Sequence, residues 1–304
     1  MHHHLFRDSW TPAFAGVTVG GGGNDMRRGG VNKLATSKAD VTVVFRTGEQ
    51  VMTGKIYLVG AGPGDPELLT LKAARLNAAA DVAVFDRLVA DAVLDLLPPA
   101  CLRIDVGKET GRHSVPQAEI NAILVRLGQA GHRVVRLKGG DPYIFGRGGE
   151  EAEALVEAGI AFEVVPGITA AAGCAAAAGI PLTHRGVAQG LRLLTGHRQD
   201  DRDLDFDWHR LADPTCTLVV YMGVASAERL AGGLRGAGLP GETPVAIIER
   251  GTTPDQRTFF SRLDRLAADM ARWQPKPPAL LIIGRVVDHA LVPHMDVIGR
   301  EAAQ

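Results

Sequence analysis

From Lys55 onward, short apolar runs alternate with alanine-rich amphipathic segments, and this alternation restricts the possible fold more than any other feature of the chain. Short apolar runs are typical of buried strands, and apolar residues that recur every three or four positions are typical of helices packed on a sheet. Such a regular succession predicts a parallel sheet with helices on both faces. The predicted strands are IYLVG, VAVF, LRIDV, RVVRL and FEVV, with helices near residues 66–79, 88–97, 116–130 and 148–158.

A second α/β unit is predicted after the segment PGITAAAGCAAAAGIPLTHR, which has the composition of a connecting helix. Several of its apolar runs are close enough in sequence for antiparallel pairing, so the second sheet is predicted to be mixed. These runs are LRLLTG, TLVVYMG, PVAIIERG, RTFFS and ALLIIGRVV. The predicted domains are therefore residues 54–167 and 168–294, with a small-molecule site in the cleft between them.

Residues 1–53 differ from the rest of the chain, because the segment GVTVGGGGNDMRRGG is rich in glycine and no apolar period is sustained. This composition predicts a disordered extension. Three adjacent histidines near its start, His2, His3 and His4, are interpreted as tag-like rather than as metal ligands. No metal site is predicted.

The charge of the chain is balanced, with 33 basic and 34 acidic side chains. No global field therefore recruits nucleic acid or an anionic membrane, and an anionic ligand must be met by local clusters of arginine and lysine. The longest apolar runs are much shorter than the roughly 20 residues of a membrane span, and no secretory signal is visible. Because the three cysteines form no CxxC pair, a reducing cytoplasmic location is expected.

The first glycine loop, VGAGPGDPELLT, resembles a dinucleotide fingerprint but departs from it in two places. Gly64 comes one position early for the third glycine, and Asp65 stands where the final glycine should be. A carboxylate there would repel a pyrophosphate, which disfavours a nicotinamide cofactor. The same residues also fit a tight turn in which Asp65 is the N-cap and Pro66 the first residue of a helix.

The second glycine loop, KGGDPYIFGRGGEE, also follows a predicted strand, so both loops should lie at the carboxyl edge of one parallel sheet, where ligands bind. Gly139 and Gly140 allow the backbone to approach a bulky ligand closely. Asp141 is able to accept hydrogen bonds from a hydroxyl or ammonium group. These groups suit a neutral or cationic nucleoside better than a phosphate, although the pair Asp141-Pro142 is equally typical of a plain turn.

Over residues 55–287 the chain resembles the uroporphyrinogen-III C-methyltransferases of the tetrapyrrole methylase family. The segments that carry the resemblance are IYLVGAGPGDP, FDRLV, VGKETGRHSVPQAEIN, VVRLKGGDPYIFGRGGEE, VVPGITAAAGCAAAAGIPLTHR, LLTGH, YMG and ERGTT. The resemblance implies the two-domain tetrapyrrole methylase fold, with the active site in the cleft between the domains. It also implies two methyl transfers from S-adenosylmethionine to uroporphyrinogen III, which give S-adenosylhomocysteine and precorrin-2 for sirohaem or cobalamin synthesis.

The resemblance further implies which residues bind each ligand. Asp86 and Lys108 correspond to the family's acid–base pair, and a carboxylate is suited to stabilise the positive charge that methylation leaves on the pyrrole and to accept the proton that is then lost. The implied cofactor-binding residues are Pro63, Gly139, Gly140, Asp141, Ile144, Thr169, Ala170, Met222 and Gly251. Because the substrate carries eight carboxylates, nearby cations are its candidate ligands: Arg87, Arg112, His113, Arg147, Arg185 and Arg198.

Two positions depart from the family pattern: Glu109 stands where related sequences usually have a basic residue, and Phe85 where they usually have tyrosine. Alternatives with the same cofactor loops are a methylase of a later precorrin, of ribosomal RNA or of a modified histidine. A protein that binds S-adenosylmethionine without catalysis would need neither Asp86 nor Lys108. The resemblance also leads us to expect a homodimer.

Overall fold

The computed structural model describes residues 33–36, 39–42, 54–107, 115–196 and 206–291. Within residues 1–53, where the sequence predicts no strand, β1 (Lys33–Thr36) and β2 (Ala39–Thr42) form an antiparallel pair. The rest of the predicted disordered extension, including the three histidines, lies outside the described residues.

The first sheet is fully parallel, as predicted, and has the strand order β5-β4-β6-β3-β7. All five predicted strands are present, because each is a continuous run of residues that fit the buried or half-buried surface of a covered sheet. Their bounds are β3 (Ile56–Gly60), β4 (Val82–Phe85), β5 (Leu102–Asp105), β6 (Val134–Lys138) and β7 (Phe162–Val165).

Helices cover both faces of this sheet. Leu58 and Val84 point to the face covered by α3 and α4, and Val59 and Ala83 point to the face covered by α1 and α2. The bounds are α1 (Leu71–Asn77), α2 (Asp91–Leu94), α3 (Gln117–Gln129) and α4 (Gly148–Glu157).

The first predicted helix, residues 66–79, is divided in two. Asp65 is an N-cap as predicted, since its carboxylate accepts from the amide of Glu67 at 2.8 Å, but it begins only a 3-10 turn over Pro66–Leu68. The chain becomes extended at Leu69, and the hydroxyl of Thr70 then caps α1 by accepting from Ala73 at 3.1 Å. The predicted helix at 88–97 is likewise shortened to α2.

The second sheet is mixed, as predicted, and has the order β11-β10-β12-β9-β8. Only β8 and β9 pair in parallel; the other pairs are antiparallel. Its strands are β8 (Gly190–Thr195), β9 (Cys216–Tyr221), β10 (Pro244–Glu249), β11 (Arg257–Arg262) and β12 (Ala279–Ile283). Its helices are α5 (Ala170–Ala177), α6 (Trp208–Leu211), α7 (Ala227–Gly236) and α8 (Leu266–Trp273), with a 3-10 turn at Arg285–His289.

The helix predicted to connect the two units is α5, and it packs on the second sheet. Its Ala171 and Cys174 lie in one core with Val219 and Ile248, while α7 and α8 cover the opposite face. Because β9 and β10 both pair antiparallel with β12, they run in the same direction and end at the same edge. Among the described residues, no helix is long and apolar enough to cross a bilayer.

Candidate active site

Five loops that follow strand ends are joined by direct contacts, and we call them the site loops. They are residues 60–65, 139–147, 166–170, 221–223 and 250–253. Three of them follow β3, β6 and β7 of the parallel sheet, and two follow β9 and β10 of the mixed sheet. The predicted cofactor-binding residues all lie on these loops, with Ala170 at the junction of the third loop and α5.

The two glycine loops and the Gly167 loop meet backbone to backbone. Gly62 and Gly140 exchange hydrogen bonds of 3.2 and 2.7 Å, and both have positive φ angles, +71° and +70°. A Cβ atom on Gly167 would lie 2.3 Å from the carbonyl oxygen of Gly140 and 2.8 Å from Cα of Gly60. The glycines are therefore required by the close approach of three loops as well as by turn geometry.

Asp141 joins the second glycine loop to the Gly167 loop. Its Oδ1 atom accepts from the amide of Tyr143 at 2.9 Å, which is the turn predicted as an alternative role. Its Oδ2 atom accepts from the amide of Gly167 at 3.0 Å. The carboxylate thus fixes two site loops relative to each other, and this bridging role was not predicted from the sequence.

The 250–253 loop packs on the first glycine loop and on α5. The amide of Asp65 donates to the Thr252 hydroxyl at 3.2 Å. A Cβ atom on Gly251 would lie 2.3 Å from the Cys174 sulfur, whose thiol pKa is raised to about 11 by burial. Pro63 also packs on α5, since a Cβ atom on Gly173 of that helix would lie 2.4 Å from the proline ring.

Tyr221, at the end of β9, connects three site loops, and the sequence reasoning missed it. Its hydroxyl lies 2.5 Å from Oγ1 of Thr169 and accepts from the amide of Ala171 at 2.9 Å. Its ring packs on Phe145 with centroids 4.9 Å apart. Burial raises the pKa of the phenol.

Backbone strain is concentrated on the site loops. Of the six non-glycine residues with positive φ in the described part of the chain, five lie on these loops: Phe145, Arg147, Met222, Arg250 and Thr252. Such conformations cost about 1–3 kcal/mol each and are maintained where function requires them. The clustering marks these loops as a candidate functional site, independently of sequence resemblance.

The site loops also expose apolar side chains. Tyr143, Phe145, Ile168 and Met222 are among the large apolar residues that face solvent, with Met222 48% and Tyr143 54% exposed. Exposed apolar groups around glycine-rich backbone and a carboxylate are suited to a ligand with both an aromatic and a polar part.

Asp86 follows β4 and lies beside the site loops. Its Oδ1 accepts from the amide of Leu88 at 3.1 Å, and its Oδ2 accepts from Nη2 of Arg136 at 3.3 Å. The alternative role of helix N-cap is wrong, because α2 begins only after Ala90. The loop of Asp86 touches the second glycine loop, since a Cβ atom on Gly139 would lie 2.7 Å from Cβ of Leu88.

A buried charge cluster lies behind Asp86, and sequence reasoning missed all of it. Arg136 and Lys138 of β6 and Glu151 of α4 are 2%, 3% and 0% exposed. Oε1 of Glu151 accepts from Nε of Arg136 at 3.1 Å and from Nζ of Lys138 at 2.8 Å. Burial, and next the Arg136 charge, lower the pKa of Lys138, while Glu151 opposes the shift. The sequence did contain a signal for this cluster: β6 carries two cations, whereas central strands of a parallel sheet are normally apolar.

The predicted substrate-binding cations are only partly brought together. Arg87 is exposed beside Asp86, and its backbone packs on Gly107, the residue before Lys108. Arg147 forms a two-point pair with Glu150, at 2.8 and 2.7 Å. No hydrogen bond or ion pair joins the exposed Arg185 to the other predicted site residues that the structure describes. Four predicted residues, and Glu109, lie outside the described part of the chain: Lys108, Arg112, His113 and Arg198.

Comparison with known proteins gives one family. The sequence profile of the Tetrapyrrole (Corrin/Porphyrin) Methylases matches residues 55–267. A uroporphyrinogen-III C-methyltransferase of Paracoccus denitrificans (strain Pd 1222) is 52% identical over 254 residues, which are 84% of this chain and 87% of that protein.

A siroheme synthase of Gluconobacter oxydans (strain 621H) is 52% identical over 272 residues, which are 90% of this chain and 57% of that protein. The chain thus spans only about half the length of the siroheme synthases that it matches. Among solved structures, the uroporphyrin-III C-methyltransferase of Thermus thermophilus complexed with S-adenosylhomocysteine is 44% identical, with a TM-score of 0.67. The similarity covers 78% of this chain and 100% of that one.

Proposed function

Because this chain belongs to the tetrapyrrole methylases, we propose that it transfers two methyl groups from S-adenosylmethionine to carbon atoms of uroporphyrinogen III. The products are precorrin-2 and S-adenosylhomocysteine, and precorrin-2 feeds sirohaem synthesis, cobalamin synthesis or both. One juxtaposition supports this function above all: the loop that carries Asp86 lies directly against the second glycine loop, through Leu88 and Gly139.

The residues of the site loops fit S-adenosylmethionine. The exposed apolar side chains Phe145, Ile168 and Met222 suit its adenine and its aliphatic chain, and the carboxylate of Asp141 suits its ammonium or ribose hydroxyls. When bound, this cofactor supplies a methyl group on a positively charged sulfur. The residues that would hold it are Pro63, Gly139, Gly140, Asp141, Ile144, Thr169, Ala170, Met222 and Gly251.

Asp86 has the position and the chemistry of a general base. Its side chain is 28% exposed, so a substrate has access to it, and it is fixed by bonds to Leu88 and Arg136. The pyrrole carbon that gains a methyl group carries a side chain and no hydrogen, so its ring becomes positively charged until a proton leaves from another position of the macrocycle, a ring N–H or a bridging carbon. The carboxylate accepts that proton and stabilises that charge. By resemblance, Lys108 orients a substrate carboxylate or returns a proton.

The substrate's carboxylates are bound by arginines at the rim of the site. Arg87 is exposed next to Asp86 and offers a planar fork for bidentate binding. Arg147 must exchange its pairing with Glu150 for a substrate carboxylate, an exchange between exposed partners that costs little. Arg112, His113 and Arg185, cations that lie in or beside the matched segments, complete this set.

The test is anaerobic incubation of the chain with uroporphyrinogen III and S-adenosylmethionine, with products identified by mass. We expect a doubly methylated product. Asp86→Asn should lower single-turnover methylation by about a hundredfold or more, as for the loss of a general base, while S-adenosylhomocysteine affinity stays within about threefold, or ~0.6 kcal/mol.

The matched control is Asp91→Asn, which removes an exposed carboxylate from the first turn of α2. It should leave both quantities unchanged. Methylation of a later precorrin but not of uroporphyrinogen III would assign the chain to another branch of the family. Weak cofactor binding by Asp86→Asn, with normal turnover at saturation, would place Asp86 in the cofactor site instead.

We also propose that residues 54–167 and 168–294 are the two domains, and that the protein is a cytoplasmic homodimer. The free thiols of the three buried cysteines suit a reducing compartment.

Exposed apolar side chains outside the site loops, such as Leu71 and Val156, offer surface for self-association. Sedimentation velocity at micromolar concentration should give twice the chain mass, and a species of the chain mass would rule out the dimer.

A further inference from the structure

Three polar donors converge on one oxygen of Glu151. In addition to Arg136 and Lys138, Nε2 of Gln117 donates to the same Oε1 atom at 3.3 Å. The second oxygen, Oε2, is buried and has no hydrogen-bond partner in the part of the chain that the structure describes. A fully buried carboxylate is costly unless it is paired, and the pairs of Glu151 all use one of its two oxygens. This one-sided arrangement calls for a specific role.

The guanidinium of Arg136 is held at all three nitrogens. Nε donates to Glu151 at 3.1 Å, Nη1 to the carbonyl of Leu137 at 2.8 Å, and Nη2 to Asp86 at 3.3 Å. The first two bonds orient the planar group, and the third is the one that reaches the site. Glu151 is therefore the side chain that determines where Arg136 presents its Nη2 atom.

Charge balance gives Glu151 a second effect on the same geometry. Arg136 and Lys138 lie two residues apart on one face of β6, and both approach Oε1 of Glu151. Without the carboxylate, two buried cations would repel each other, and among the described residues that contact Arg136 the remaining counter-charge is Asp86. Arg136 would then turn toward Asp86 or toward solvent, because a buried unpaired charge is strongly unfavourable.

We infer that Glu151 is a positioning residue, which acts through Arg136 to hold the Asp86 carboxylate in the orientation that accepts the substrate proton. This inference rests on the proposed function of Asp86. Glu151 itself is buried and does not touch the substrate. Because Lys138 and Glu151 flank the second glycine loop in sequence, their 2.8 Å bond also closes that loop at its base.

The test separates positioning from stability by means of two variants. Glu151→Gln removes one charge and is expected to lower stability. The double variant Lys138→Met with Glu151→Met replaces the buried pair by apolar side chains of similar volume, which is often neutral or stabilising. Both variants deprive Arg136 of its charged anchor. Glu153→Gln, on the exposed side of α4, is the matched control.

We expect both variants to bind S-adenosylhomocysteine within about threefold of wild type, as calorimetry measures. Single-turnover methylation should fall by about tenfold to a hundredfold, the cost of a displacement of about 1 Å in a catalytic group. In the Asp86→Asn background the Lys138→Met and Glu151→Met pair should have almost no further effect, because residues that act as a unit are not additive. Glu153→Gln should behave as wild type.

Unchanged methylation in the stable double variant, or a loss fully additive with Asp86→Asn, would overturn the inference. Crystal structures of wild type and of the double variant provide a readout independent of turnover. We expect the Arg136 guanidinium to shift relative to Asp86 in the variant, so that the Nη2 to Oδ2 distance of 3.3 Å changes, and an unchanged distance would also overturn the inference. If Asp86→Asn alone turned over normally, the proposed role of Asp86 would fail, and this distance alone would decide the positioning role of Glu151.

Discussion

The phenol oxygen of Tyr221 accepts a hydrogen bond from the backbone amide of Ala171 at 2.9 Å, and so caps the first turn of α5. Thr169, the N-cap residue by position, makes no side-chain bond to the helix, and its hydroxyl bonds to Tyr221 instead. The cap of α5 is thus supplied by Tyr221, the last residue of β9, which directly precedes Met222. The helix start, the Phe145 loop and the 221–223 loop are therefore held by one side chain.

Tyr221→Phe should lower the free energy of unfolding by about 1–3 kcal/mol, because it leaves the amide of Ala171 buried without a partner. The ring contact with Phe145 is kept, so the loss reports the hydroxyl alone. Urea denaturation measures it. Tyr143→Phe, which removes an exposed hydroxyl, is the control and should change stability little. A Tyr221→Phe variant as stable as wild type would show that water replaces the phenol as the cap.

Asp141→Ala should weaken S-adenosylhomocysteine binding about tenfold to a hundredfold, which corresponds to ~1.5–3 kcal/mol for bonds to a charged group. The carboxylate ties Tyr143 to Gly167, so its loss releases two site loops together as well as any direct contact with the cofactor. Calorimetric titration measures the affinity.

The control for Asp141 is Asp213→Ala, which removes a comparable turn carboxylate bonded to Thr215 before β9. This change should lower stability slightly and leave cofactor affinity unchanged. Equal effects of the two substitutions on affinity would mean that Asp141 acts only through general stability.

The strands of the two five-stranded sheets were predictable because each follows a local, largely apolar run, whereas β1 (KLAT) and β2 (ADVT) have no such run and were not predicted. The start of α1 was not predictable, because Asp65 and Thr70 are both good N-cap residues. Which of them begins the α-helix depends on the extended conformation of Leu69. The proximity of Gly62 and Gly140 was predictable from the sequence, because it follows once both strands end at the same edge of the sheet. By contrast, the pairing of Arg136 with Glu151 depends on where α4 crosses β6, a tertiary relationship that spacing alone does not reveal.

The Glu163 ion pairs should make stability depend on acid pH. Lys55 donates to Glu163 at 2.7 Å and Lys72 pairs with its other oxygen, and these bonds lower the glutamate pKa from 4.5 to about 2. Because the folded-state pKa is depressed, the contribution is fully present above about pH 4.5 and is lost as the pH falls toward 2.

The measurement is the difference in urea stability between wild type and Glu163→Gln at pH 7, 4.5 and 3.5. We expect this difference to shrink as the pH falls and also at high salt, since the groups are partly exposed. Glu157→Gln, at an exposed position on α4, serves as the reference. A difference that is constant from pH 7 to 3.5 would show that the pairs do not form in solution.

Gly251→Ala should displace the 250–253 loop, because the added Cβ atom would lie 2.3 Å from Sγ and 2.9 Å from Cβ of Cys174. Overpacking of this kind costs about 1–3 kcal/mol, and because Gly251 lies among the proposed cofactor residues, S-adenosylhomocysteine affinity should fall as well. Adding Cys174→Ala removes the closer of the two atoms and should restore part of both losses, with a coupling energy of about 0.5 kcal/mol or more. Gly232→Ala is the matched control: apart from the backbone of its own helix and its chain neighbours, no atom of the described residues lies within 4 Å of the added Cβ, so this substitution should stabilise the fold by about 0.5–1 kcal/mol. Strictly additive effects of the Gly251 and Cys174 substitutions would show that the loop does not rest on α5 at this point.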